Sequence, residues 1–74
     1  MRIYRFPGVI EKDGDGYFAF CPELQGCYTQ GDTYEEALEN IRDAIRLHVE
    51  DRLESGEEIT QSESVSLTSL EVAV

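Results

Sequence analysis

Apolar residues along this chain recur with two different periods, and the change of period marks the elements. From Ile3 to Glu11 the residues are strand formers: Ile3, Tyr4, Phe6, Val9 and Ile10. The two-residue alternation slips at Pro7-Gly8. Because Pro cannot donate to a ladder, that dipeptide marks a bulge or the true start of the strand. Lys12-Asp13-Gly14-Asp15-Gly16 follows, and Asp-Gly twice between two apolar runs predicts a hairpin, since Gly accepts the positive φ of a tight turn. Tyr17-Phe18-Ala19-Phe20-Cys21 reads as the second strand. Both of its faces are apolar, with Tyr17, Ala19 and Cys21 on one and Phe18 and Phe20 on the other. A strand with one wet face would alternate with polar residues, so either both faces are covered or one is reserved for a partner. Pro22 ends this strand, and Gly26 lets the chain turn into a third, Cys27-Tyr28-Thr29-Gln30.

The period then lengthens. Thr33-Tyr34-Glu35-Glu36 has the form of a capping box, with the Thr33 side chain on the Glu36 backbone N–H and the Glu36 side chain reaching back. Ala37, Leu38, Ile41, Ala44, Ile45, Val49 and Leu53 are spaced by three and four residues, which predicts a helix of about five turns. Ser55-Gly56 supplies its stop. The opposite face carries Glu39, Arg42, Asp43, Arg46, Glu50 and Asp51, with Glu39–Arg42 and Arg46–Glu50 as expected ion pairs. Leu47 falls among these polar residues, with no evident use inside one chain. Residues 57–64 read as a polar loop. Residues 65–74 are β-biased, with Leu70, Val72 and Val74 alternating with Glu71 and Ala73, and predict a last strand.

The expected fold is therefore α+β, in the order β-β-β-α-β: a three-stranded antiparallel meander, one long helix on one face, and a C-terminal strand. It forms a single domain over residues 1–74, with a core in about 4–56. A right-handed crossover places the last strand parallel to the first and outside it. A domain of this size buries only about 60% of its unfolded surface, which favours self-association as a homodimer or tetramer. Leu47, Leu70, Val72 and Val74 are the candidate contacts.

Charge changes the picture most. Sixteen Asp and Glu oppose six Lys and Arg, for a net charge of −10. Nucleic-acid binding draws on cations that displace counterions, so direct contact with DNA or RNA is not expected. The same field attracts basic proteins and speeds encounter with them. No apolar run approaches the roughly 20 residues of a membrane span, and the N-terminus lacks the apolar stretch of a signal peptide, so the expected compartment is the cytoplasm.

Candidate chemistry is sparse. Cys21 and Cys27 flank Pro22-Glu23-Leu24-Gln25-Gly26, but the one His, His48, lies far away, and structural zinc needs four ligands. Reduced, half-buried thiols are the expectation. Asp13, Asp15, Glu23 and Asp32 offer oxygens to a hard cation, yet their spacing does not force convergence. No phosphate-binding loop and no Ser-His-Asp or Cys-His arrangement is evident. The expectation is a non-enzyme without cofactor or metal. The enzyme alternative, a metal-dependent nuclease using Asp13 and Asp32, is the weaker one.

Two blocks carry a family likeness. Gly16 to Cys27, read as G-Y-F-A-F-C-P-E-L-Q-G-C, and Thr29 to Ala37, read as T-Q-G-D-T-Y-E-E-A, closely resemble the signature of HicB-like antitoxins. The likeness runs from about Val9 to Gly56. It implies a degenerate ribonuclease-H-like fold without that fold's catalytic acids. It also implies a role of binding and occluding a HicA-type toxin, a small basic domain that cleaves mRNA. Many members carry a C-terminal DNA-binding domain, for which no segment is evident in these 74 residues. On this reading Asp13, Asp15, Glu23, Tyr28 and Gln30 are the expected toxin contacts. The alternative is a stand-alone oligomeric regulatory or ligand-binding module.

Overall fold

The computed structural model describes residues 2–61 and 64–74; Ser62 and Glu63 of the expected loop lie outside them, as does Met1. The described residues form three strands and a helix: β1 (Val9–Asp13), β2 (Gly16–Phe20), β3 (Tyr28–Gly31) and α1 (Tyr34–Glu54). The strands make one antiparallel sheet in the order β1-β2-β3.

Pro7-Gly8 turns out to precede the first strand rather than to kink it. β1 begins at Val9, and Val9 to Asp13 pair with Phe20 to Gly16 in unbroken register. The hairpin loop is Gly14-Asp15. Gly14 has a φ of 61°, whereas among the described residues no non-glycine residue has positive φ. Positive φ at the first central position alone is the signature of a II′ turn, whose twist matches that of the strands. Register between β2 and β3 runs from Tyr17 opposite Gly31 to Phe20 opposite Tyr28. One step further, the Cys21 N–H donates to the Cys27 carbonyl at 3.0 Å. The Pro22–Gly26 loop folds tightly between them, Leu24 N–H donating to Cys21 O and Cys27 N–H to Leu24 O, both at 3.2 Å.

Thr33 caps the helix as expected, its Oγ1 accepting from the Glu36 N–H at 3.1 Å. The Glu36 carboxylate reaches one residue further back than a standard capping box, to the Asp32 N–H at 3.3 Å. Ser55 and Gly56 end the helix, Gly56 with a φ of 78°. On the polar face, Arg46 closes on Asp43 at 3.6 Å in place of the two expected pairs. Such an exposed pair contributes little.

One side of the sheet faces the helix. Ala19, Cys21, Leu24, Cys27, Ala37 and Ile41 form the buried cluster, with Phe6, Ile10, Tyr17, Ala44 and Ile45 packed against it. Both thiols are free and fully buried rather than half-buried. Small residues set how closely the layers approach. A Cβ on Gly31 would stand 2.6 Å from the Ala37 backbone N, so only glycine lets the end of β3 run against the first turn of the helix. The helix packs chiefly on β3, then on β2, and least on β1.

The expected last strand is not formed within the single chain: residues 64–74 carry no secondary structure and all are exposed. A strand needs a neighbouring edge to satisfy its backbone, and here the segment lies against none.

Candidate protein-binding face

With the helix on one side, the other side of the sheet is open. Strand alternation sends Ala19 inward and therefore Phe18 and Phe20 outward, and the register sets Tyr28 across from Phe20 and Gln30 across from Phe18. The three rings form a contiguous ridge. Phe18 and Phe20 have centroids 5.9 Å apart, and Phe18 and Tyr28 lie stacked at 6.1 Å. Each such pair contributes about 0.5–1.5 kcal/mol beyond its buried area. Phe18 is nevertheless 37% exposed and Tyr28 65%. Clustered exposed aromatic surface is the usual material of a protein-binding patch.

At the hairpin end this ridge meets carboxylates. Asp13, Asp32 and Glu36 line an open hollow of about 450 Å³ together with Phe18 and Gln30. On the inner side of the same end, Tyr17 meets Tyr34 edge-on at 6.4 Å. The Asn40 Nδ2 donates to the Gln30 carbonyl at 2.9 Å, tying β3 to the helix.

Of the residues singled out from sequence, Tyr28, Gln30 and Asp13 come to this one face. Asp15 sits on the adjoining turn, while Glu23 lies in the loop at the opposite end of the sheet. Sequence reasoning left out of its contact set Phe18, Phe20, Asp32 and Glu36. The doubly apolar pattern of the second strand was the signal for the two rings. Leu47 is 59% exposed on the polar side of the helix, and Leu70, Val72 and Val74 are exposed as well.

Reactive groups are few. Among the described residues, no three His, Cys, Asp or Glu side chains gather where they could hold a metal ion. Burial pushes the Cys27 thiol above its ordinary value, and Cys21 adds to that, while Arg52 works the other way. The result is a protonated, weakly nucleophilic thiol. No helix among the described residues is long and apolar enough to cross a membrane.

Comparison with known proteins agrees with this architecture. A solved structure, the N-terminal domain of the antitoxin HicB from Burkholderia pseudomallei, superposes with a TM-score of 0.72 at 36% identity, covering 81% of this chain and 72% of that one. A UPF0150 protein of Thermoplasma acidophilum is 40% identical over 65 residues, which is 86% of this chain and 94% of the relative. A UPF0150 protein of Synechocystis is 54% identical over 50 residues, 66% of this chain and 63% of the relative. An antitoxin HicB of Photorhabdus laumondii is 41% identical over 80% of this chain, which spans only 39% of that protein. The profile of the HicB-like antitoxins of bacterial toxin–antitoxin systems matches residues 6–72. The chain belongs to that HicB-like antitoxin family.

Proposed function

We propose that this domain is the neutralising half of a toxin–antitoxin pair and works by covering, not by catalysis. Its partner is a small basic HicA-type protein whose RNA-cleaving surface it occludes. The observation that carries this reading is the exposed Phe18-Phe20-Tyr28 ridge with Asp13, Asp32 and Glu36 at its end. Aromatic anchors supply contact area and the carboxylates meet cations that would otherwise hold phosphates. Asp13, Asp15, Tyr28 and Gln30 act on this surface, and Glu23 extends it at the far end. A net charge of −10 speeds the encounter and disfavours nucleic acid at the domain itself. This activity requires no cofactor or metal, and it places the protein in the cytoplasm, where mRNA is cleaved. The domain also self-associates through Leu70, Val72 and Val74, with Leu47 a separate contact. The last strand then joins the sheet, giving the ribonuclease-H-like outline.

The test is co-expression with the small basic protein encoded beside it, followed by calorimetry and an RNA-cleavage assay. Tight binding and inhibition are expected, both weakened at least tenfold by Phe18→Ser or Tyr28→Ala in a chain of unchanged helix content. Full inhibition by both variants would overturn the choice of face. No binding to such a neighbour would overturn the antitoxin reading in favour of the stand-alone module.

A further inference from the structure

Apolar side chains that one chain leaves uncovered are concentrated in its last residues. Leu70 is 80% exposed and Val72 76%, and Val65, Leu67 and Val74 are exposed as well. In extended backbone Leu70, Val72 and Val74 share one side, so they form a ready apolar edge with nothing beneath it.

A second feature of the same domain lacks a cover. Because the helix sits towards β3, the inner surface on the β1 side is only thinly covered. A trough remains between the helix and the arm that leads into β1, lined by Tyr4, Phe6, Ile10, Leu38, Ile41 and Ile45. It continues along the helix past Val49 to Leu53 as a groove of about 630 Å³. β1 is also an edge of the sheet, so one side of its backbone has no ladder partner.

Charge identifies the occupant. Arg2, Arg5, Arg42 and Arg46, four of the six cations, line the trough and its continuation, where Glu50 is the one acidic lining residue. The remainder of the molecule is strongly acidic. A basic partner is repelled from this rim, whereas the last segment, in which Glu71 is the one charged side chain of residues 64–74, complements it locally, against the long-range repulsion of two copies of net charge −10. The Arg5 N–H donates to the Gln61 Oε1, so the chain reaches the arm just before its final segment departs.

We infer that the trough is filled by residues 64–74 of a second copy, which add a strand to the free edge of β1 while the first copy's segment does the same in return. The inference rests on the self-association reading and specifies its geometry. Leu70, Val72 and Val74 enter the trough, Glu71 faces the arginine rim, and the backbone completes the open ladder. Exchange of an identical element is an economical route to a two-fold dimer, because each contact is made twice. The open outer face of the sheet stays free for a different, basic partner.

Light scattering and amide hydrogen exchange on the full chain test this together. The expected result is a dimer in which amides of residues 65–74 and β1 are protected, with protection lost on dilution as the dimer dissociates. Leu70→Asp/Val72→Asp, at positions that contribute nothing to the fold of one chain, is expected to yield a folded monomer with unprotected β1 amides. A monomer with a protected final segment would mean that the segment docks on its own chain, and would overturn the exchange. A dimer with an unprotected segment, or a dimeric double variant, would keep self-association and overturn this geometry. A monomer with an unprotected segment would overturn both.

Discussion

Gly31→Ala tests how closely the sheet and helix approach. The added Cβ would lie 2.6 Å from the Ala37 N, and 3.0 Å from both the Ala37 Cα and the Glu36 carbonyl carbon. All three atoms are backbone, in the capped first turn, so no side chain can swing aside. Ala37 is fully buried, so lifting the helix start would open its packing against the sheet. Relief requires the helix start to lift by most of an ångström or the end of β3 to peel away. Forced overpacking of this kind costs about 1–3 kcal/mol. For a domain of this size each kcal/mol lowers Tm by about 4–8 °C, so a loss of about 8–16 °C is expected for a mid-range cost. Gly8→Ala is the matched control. Its Cβ would meet nothing nearer than the Ile41 Cγ2 at 4.0 Å, and Gly8 is not among the glycines with positive φ. That substitution is expected to be neutral or to stabilise by about 0.4–1 kcal/mol, through the unfolded chain. Thermal melts followed by circular dichroism read both. Equal Tm values for the two variants would refute the close-approach argument.

Three further outcomes follow from single contacts. Thr33→Ala removes the acceptor for the Glu36 N–H and is expected to cost about 1 kcal/mol, seen as a lower urea midpoint with unchanged slope. Asn40→Ala breaks the tie to the Gln30 carbonyl and should cost about 0.5–1.5 kcal/mol, with a larger rise in exchange rate in β3 than in β1. The raised Cys27 pKa has no effect on stability below the ordinary thiol value of 9.0. Above it only the unfolded chain sheds the proton, so stability falls as pH climbs from there towards the folded-state value. Urea midpoints at about pH 7 and about pH 9.5, compared with those of Cys27→Ala, should show a decline that the variant lacks.

Elements fixed by local chemistry were legible in the sequence. Gly14 and the Thr33 cap are read from neighbouring residues, and α1 from the spacing of Ala37, Ile41 and Val49, all of which are buried. The last strand was legible only as a propensity, because pairing depends on an edge that residues 65–74 cannot name. The site divided in the same way. Tyr28 and Gln30 come to one face because two-residue alternation is a local rule. Glu23 goes to the far end because β2 and β3 run the full sheet length between it and the hairpin. Asp32 and Glu36 were missed as partner contacts because Asp32 was weighed only as an oxygen ligand beside Asp13 and Glu36 only as part of the helix cap; the fold brings both to the hollow that Asp13 lines.

The off-centre seat of the helix also grades the sheet in rigidity. β3 is held by Asn40, by the glycine contact and by most of the helix packing, whereas β1 has a hairpin partner on one side and little above it. Local opening should therefore begin at β1 and its arm and reach β3 last. In the dissociated single chain, a protease at low dose should nick the arm and the final segment first, leaving a resistant fragment built around β2, β3 and α1.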